Sequence, residues 1–322
     1  MGSLVTESVA LISEGSSIGQ TLAWATALLK SGGVDTPRLD AECLLASLLH
    51  SNRLHLYLAI EERLPPTVFE AYRTLVWRRQ ARAPLAYLTG TKEFWSLSFK
   101  VTPAVLVPRP ETEVLVEAAL TRLKQLTAPV IVDVGTGSGA IAVALAKMLP
   151  CARIYATEIS REALEVAREN ASVHGVVGQV AFLQGDLLEP LFARDLVGQC
   201  DLIVSNPPYV ATADLAILSP EVHYEPVEAL DGGSDGLRYH RQIIAGVSTL
   251  LRPRGWLALE MAPEQGSSLV KLLRDRGNFA DVEVIPDLSG RQRMIMASST
   301  GPGFKACRGS SCEQDCLGMN GA

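Results

Sequence analysis

Short apolar runs alternate with segments of helical period between residues 129 and 297, and few folds accept such a chain. Residues 129–134 are a continuous apolar run, 135–139 a Gly-rich turn and 140–149 a helix-period segment. Strand character returns at 153–157, 180–183, 201–205, 255–260, 282–285 and 291–297, with helical patterns at 161–173, 238–251 and 265–275 between them. Strands joined through helices imply an α/β, Rossmann-like, mostly parallel sheet of seven strands, wound on both faces. Such sheets bind ligands beyond the C-terminal ends of their strands, and that is where chemistry is expected.

The chain ahead of this pattern reads differently. Leu22, Ala25, Leu28 and Leu29 recur at helical spacing, as do Leu44, Leu45, Leu48 and Leu49. Pro37 suits a helix start, with Thr36 as its cap. A further helix from Pro66 carries Val68, Phe69, Tyr72, Leu75 and Val76 on one stripe. Arg73, Arg78, Arg79 and Arg82 lie on or beside it, either as a solvated face or as a partner-docking patch. Phe94, Leu97, Phe99, Val101 and Val105 then alternate with polar residues, broken by Pro103, as in a hairpin. The expected division is a helical domain over 1–85, a hairpin linker over 86–112, the α/β domain over 113–299 and a disordered tail over 300–322.

A length of 322 residues suits two such domains, and a net charge of −6 argues against a grip on nucleic-acid phosphates. No apolar run reaches the ~18 residues that span a bilayer, and the first residues lack the marks of a signal or transit peptide. The expected location is the cytoplasm. Cys43, Cys151 and Cys200 sit singly in apolar or strand-like surroundings. Cys307, Cys312 and Cys316 cluster in the tail without the fourth ligand of a structural zinc site, so no metal is expected.

The loop Asp133-Val-Gly-Thr-Gly-Ser-Gly139 follows a strand and opens a helix. Its glycines permit positive φ and a close approach of backbone to a ligand. A nicotinamide fold uses a comparable loop, but the acidic residue in front and the Gly-x-Gly-x-Gly spacing favour S-adenosylmethionine, with S-adenosyl-L-homocysteine as product. Asp133, Gly135, Thr136, Gly137, Ser138 and Gly139 are the loop candidates. Glu158 ends the next strand, where a carboxylate can accept from both ribose hydroxyls, and Asp186 follows the third strand, placed for the adenine edge.

Ser205-Asn206-Pro207-Pro208-Tyr209 directly follows the fourth strand. Two prolines fix φ and remove two amide donors, and the residue before them is driven to extended backbone. The corner therefore displays acceptors: the Asn206 side-chain oxygen and the Pro207 carbonyl can receive both hydrogens of an NH₂ group, while Tyr209 offers a flat face to a planar amide or base. An amide nitrogen is a poor nucleophile, and two aligned acceptors hold it in line with a methyl donor. Positioning of this kind contributes roughly 7–11 kcal/mol in well-oriented reactions.

Several motifs in order carry a resemblance: Pro84-Leu-Ala-Tyr-Leu-Thr-Gly90, Glu93-Phe-Trp-Ser-Leu97, Val107-Pro-Arg-Pro-Glu-Thr-Glu113, the Gly loop, Ser205-Asn-Pro-Pro-Tyr-Val210, Glu225-Pro226 and Ala229-Leu-Asp-Gly-Gly-Ser-Asp-Gly236. Over about residues 15–298 the chain resembles the peptide chain release factor glutamine N5-methyltransferases (HemK/PrmC family). The resemblance implies a class I methyltransferase fold, an N-terminal five-helix-like domain that helps dock a release factor, and the glutamine of the Gly-Gly-Gln tip of class 1 release factors as acceptor. It implies that residues 135–139 and Glu158 contact the cofactor, that Asn206, Pro207, Pro208 and Tyr209 receive the glutamine, and that Arg109 and Glu111 brace the pocket mouth or form an ion pair at the domain junction.

Leu187 falls where the family often has an aromatic residue against adenine. Glu158 stands where Asp is common, and Glu260-Met-Ala-Pro263 departs from the usual Glu, apolar residue, Gly. Asn-Pro-Pro-Tyr is shared with adenine N6-methyltransferases, and a ribosomal-protein glutamine or a non-catalytic release-factor-binding role are the other readings. A monomer without a membrane or stable nucleic-acid partner is expected.

Overall fold

The structure, a computed structural model, describes Ser13 and residues 15–301. Cys307, Cys312, Cys316 and almost all of the expected tail lie outside the described residues.

Five helices form the first unit: α1 (Ile18–Ser31), α2 (Pro37–Leu48), α3 (Arg53–Leu58), α4 (Pro66–Gln80) and α5 (Leu85–Thr89). Leu22, Leu29, Leu44, Leu45, Phe69, Tyr72 and Val76 are buried together between α1, α2 and α4. Each fully buried side chain of this size contributes about 1.5–3 kcal/mol. Ser17 opens α1 with a capping box, accepting from Gln20 N while Gln20 Oε1 accepts from Ser17 N. Thr36 does not cap α2 as expected; its hydroxyl donates to Asp40 Oδ1 at 2.7 Å instead. Because α5 reaches Thr89, the helical run extends past the boundary expected at residue 85.

The four arginines of α4 and its end divide: Arg73 and Arg78 form the solvated face of one reading, and Arg79 and Arg82 fit neither reading. Arg73 pairs with Glu70 on the surface, and Arg78 is exposed. Arg79 is buried, its Nε donating to buried Asp40 and its Nη2 lying 3.0 Å from Glu221 of the α/β domain. Arg82 also binds Glu221, and the Tyr224 hydroxyl donates to Ala81 O at 2.8 Å. Arg79 and Arg82 thus fasten the two units of one chain together.

A hairpin, β1 (Thr91–Phe94) and β2 (Leu97–Lys100), follows. Its two turn residues, Trp95 and Ser96, have φ of 53° and 56°, the mirror-image turn that suits strand twist but strains non-glycine residues. Glu113 stabilises it by accepting from Trp95 N at 2.8 Å. Phe94 and Phe99 pack edge to face and anchor the hairpin in the α/β core.

The sheet comprises β3 (Val130–Val134), β4 (Arg153–Glu158), β5 (Val180–Gln184), β6 (Cys200–Ser205), β7 (Leu251–Glu260), β8 (Phe279–Pro286) and β9 (Gln292–Ser299), in the order β5-β4-β3-β6-β7-β9-β8. All pairings are parallel except those of β9 with β7 and with β8. Helices α6 (Glu113–Leu123), α7 (Ala140–Met148), α8 (Arg161–Val173), α9 (Glu189–Phe192), α10 (Arg238–Leu250) and α11 (Gly266–Arg276) complete the domain. Ile131 enters one buried cluster with α6 and α7, while Val130, Val132 and Val134 enter the other with α10 and α11. That alternation explains why β3 is apolar at every position but Asp133. Strand order reverses between β3 and β6, the place where open α/β sheets leave a crevice. No helix among the described residues is long and apolar enough to cross a membrane.

Replacing Arg79 by Met leaves Asp40, which is 3% exposed, buried without its charged partner. Breaking such a pair costs about 3–5 kcal/mol. Urea unfolding of Arg79→Met is expected to show that loss, whereas Arg73→Met, at an exposed pair, leaves the midpoint nearly unchanged.

Candidate active site

Two loops leave the sheet side by side at the reversal. Val134 of β3 is in register with Ser205 of β6, whose hydroxyl donates to Val134 O at 2.7 Å. The Gly loop and the Asn-Pro-Pro-Tyr corner therefore start level. Between them and the ends of β4 and β5 lies a cavity of about 830 Å³, within the range of small-molecule sites.

Gly135, Gly137 and Gly139 have φ of 71°, 54° and 81°, so all three need the left-handed region. Cβ atoms added at Gly135 and Gly137 would meet no protein atom within 4 Å. Both glycines line the cavity, so a side chain at either would take up space left for a ligand. Gly139 differs: an added Cβ would come 3.1 Å from Ala167 Cβ, and its role is packing against α8. Thr136 and Ser138 line the cavity. Glu158 is half-buried on the cavity wall, its Oε2 accepting from Gly137 N at 2.9 Å and its Oε1 from Ser160 N at 3.0 Å. A carboxylate has about four acceptor positions, so two remain for hydroxyls. Asp186 is exposed on the same wall, beside Leu187 at φ 44°.

Asp133 stands behind the loop and does not line the cavity. Its Oδ2 accepts from Thr136 Oγ1 at 2.6 Å and from Ala142 N at 3.2 Å, which ties the loop to the start of α7. Its Oδ1 is buried with no hydrogen-bond partner in the structure. Burial pushes its carboxyl up to about 7, more than the Thr136 and Ala142 bonds pull it down.

Asn206 and Pro208 line the cavity; Pro207 is buried and Tyr209 half-buried, and neither does. The corner is clamped from behind. Val210 N donates to Leu230 O at 3.0 Å and Gly232 N to Val210 O at 2.7 Å, and Gln265 Nε2 donates to Tyr209 O at 2.9 Å. A Cβ on Gly232 would stand 2.8 Å from Pro208 O, and one on Gly236 would stand 2.3 Å from Tyr209 O. Gly232 and Gly236 are there because two backbones touch. Asn206 Nδ2 donates to Thr112 Oγ1 at 3.2 Å, Thr112 Oγ1 donates to Glu260 Oε2 at 2.6 Å, and Tyr209 OH donates to Glu260 Oε1 at 3.2 Å. Among the described residues nothing donates to Asn206 Oδ1 or to Pro207 O. Tyr209, expected as a platform, is not among the lining residues, and its hydroxyl meets Glu260.

Arg109 and Glu111 do not pair. Arg109 binds Glu225, which also accepts from Val107 N at 3.1 Å, while Glu111 is exposed. Arg109 is thus a brace: it holds the segment before α6 against residues 222–226, the wall between this cavity and a groove of about 680 Å³ at the domain junction. The sequence does not reveal the roles of Glu260, Thr112 and Glu225. Their only signal is their place inside motifs otherwise explained by turns. Among the described residues no cluster of three or more His, Cys, Asp or Glu could hold a metal ion.

The raised carboxyl of Asp133 has a stability consequence. Between its ordinary value of 3.8 and about 7 the native protein binds more protons than the unfolded chain. The contribution is therefore full below the lower value and lost as pH rises through the upper one. In urea titrations across that interval, Asp133→Asn is expected to lose less stability with rising pH than the wild type.

Residues 20–90 match the family model for the PrmC N-terminal domain, and residues 111–221 that for the methyltransferase small domain. The release factor glutamine methyltransferase of Moorella thermoacetica is 48% identical over 278 residues, covering 86% of this chain and 97% of that protein. That of Geobacter sulfurreducens is 44% identical, covering 86% and 95%, and that of Deinococcus radiodurans 41%, covering 87% and 98%. Among solved structures, the hMettl16 catalytic domain in complex with MAT2A 3′UTR hairpin 1 superposes with a TM-score of 0.54 at 17% identity, covering 74% of this chain and 83% of that one. That likeness speaks for the fold alone. With relatives this similar over nearly their whole length, the chain belongs to the release factor glutamine methyltransferase family.

Proposed function

We propose that this protein transfers one methyl group from S-adenosylmethionine to the side-chain N5 of the glutamine in the Gly-Gly-Gln tip of class 1 peptide chain release factors. The reading is supported by relatives at 41–48% identity that are named release factor glutamine methyltransferases. The observation that carries the reading in the structure is Asn206, tied by its nitrogen to Thr112 and left with its oxygen undonated beside the cavity.

S-adenosylmethionine supplies an electrophilic methyl group on a sulfonium. The cavity fits such a molecule: bare glycine backbone at Gly135 and Gly137, and the Glu158 and Asp186 carboxylates, which can accept hydrogen bonds from ribose hydroxyls and from the adenine edge. Leu187 offers adenine an apolar edge rather than an aromatic face. The chain's own task at the acceptor is placement. Asn206 Oδ1 and Pro207 O receive the two hydrogens of the glutamine amide, hold its nitrogen toward the cavity and raise its electron density. Fixed acceptors in a site screened from water act more strongly than water does, because they need no reorganisation as charge develops. The N–H proton leaves once the nitrogen is alkylated, since an amide carrying positive charge on nitrogen is strongly acidic. Pro208 supplies rigid wall, and Tyr209 holds Glu260. The helical domain and the groove of about 680 Å³ at its junction receive the body of the release factor.

The test is Asn206→Ala with labelled methyl donor and purified release factor. Losing one preorganised polar contact lowers kcat by about 100-fold or more, while the calorimetric Kd for the methyl donor stays within about threefold, roughly 0.65 kcal/mol. Wild-type turnover in this variant removes Asn206 from the reaction.

A further inference from the structure

The Asn206 side chain raises a question of direction. A carboxamide has nearly the same shape when turned end for end, yet only one orientation offers oxygen to a substrate NH₂. The wrong one sets N–H against N–H. Something in the protein has to choose.

The answer lies in three segments far apart in sequence. Asn206 follows β6, Thr112 precedes α6 and Glu260 ends β7, and Thr112 and Glu260 are buried at 4% and 1% exposure. An ionised carboxylate can only accept. Glu260 Oε2 therefore takes the single hydrogen of the Thr112 hydroxyl, at 2.6 Å, and Oε1 takes that of Tyr209, at 3.2 Å. With its hydrogen committed, Thr112 Oγ1 has only lone pairs to offer Asn206. The amide must then turn its Nδ2 to Thr112, at 3.2 Å, and its Oδ1 away.

We infer that Glu260 and Thr112 are positioning residues for methyl transfer: the carboxylate sets the direction of the Thr112 hydroxyl, and the hydroxyl sets which end of Asn206 meets the glutamine. The inference rests on the glutamine-methylation reading above. It also explains why a carboxylate is kept in a place where burial opposes its charge. Glu260→Gln introduces NH₂ hydrogens that can be donated to Thr112, which allow the Thr112 hydroxyl to swing round and donate to Asn206, reversing the amide.

Protonation of Glu260 acts in the same sense, because a neutral acid has a hydrogen to give. Burial pushes Glu260 up to about 7, the Thr112 bond, Arg293 of β9 and the Tyr209 bond pull it down, and Glu111 pushes it up. His240 of α10 meets it through the backbone, with Nε2 2.8 Å from Glu260 O, and burial lowers the pKa of that imidazole. Activity is therefore expected to fall as pH drops below about 7.

The experiment compares wild type, Glu260→Gln, Thr112→Val, Thr112→Ser and the Thr112→Val/Glu260→Gln double variant, with purified release factor and methyl donor. Glu260→Gln and Thr112→Val are expected to lower kcat by roughly 10- to 100-fold, with Kd for the methyl donor, KM for release factor and melting temperature little changed. Thr112→Ser restores most of the rate, since it keeps the hydroxyl. The double variant is no slower than the slower single one, because both changes break one chain of contacts. The acid limb of the pH profile is absent in Glu260→Gln. Wild-type kcat in Glu260→Gln, or losses that multiply in the double variant, overturn the inference. A wild-type enzyme that leaves glutamine unmethylated overturns the functional reading itself.

Discussion

The parallel pairing of β3 with β6, at the point where strand order reverses, is the constraint on which the site depends. With Val134 opposite Ser205, the chain leaves both strands at one level. One exit is a glycine loop that needs positive φ at three positions; the other is a proline corner that has lost two backbone donors. A slip of one residue in either strand would turn the side chains of that strand to the opposite face. It would separate the bare backbone around the cavity from Asn206. The buried apolar faces of the sheet prevent that slip, so packing on both sides of β3 is what keeps the chemistry in register.

Rigidity at the corner is supplied from elsewhere in the chain. Gly232 and Gly236 lie where any side chain would strike the Pro208 and Tyr209 carbonyls. Gln265 and Leu230 fix the backbone on either side, while Thr112 and Glu260 hold the side chains. Two carboxylates, Asp133 and Glu260, are buried in doing so, and both are pushed up to about 7 by burial. Sites that hold groups for chemistry commonly sacrifice some stability in this way. Here one carboxylate braces the donor loop and the other the acceptor corner.

Much of the fold was legible because its signals are local. All seven sheet strands fall at or within a few residues of the apolar runs, the glycine loop reads as one segment, and the Asn-Pro-Pro-Tyr corner is contiguous. Helix α6, with Leu115, Val116, Ala119 and Leu123 on its buried face, has no counterpart among the expected helices, although those residues recur at helical spacing. The site's supporting contacts were illegible for a different reason. Thr112 is 94 residues from Asn206 and Glu260 is 148 from Thr112, and no spacing rule joins positions so remote. The same holds for Arg79 with Glu221, 142 residues apart, where local charge pattern suggested solvent or a foreign partner. Arg109 found Glu225 rather than its neighbour Glu111 because the fold delivers Glu225 beneath it.

The measurement that bears most directly on this account is mass spectrometry of the proteolytic peptide spanning the Gly-Gly-Gln tip, taken from release factor incubated with the protein and S-adenosylmethionine. The account predicts a gain of one methyl group, localised by fragmentation to the glutamine side chain. An unchanged tip peptide, or a methyl group carried by another residue, contradicts it.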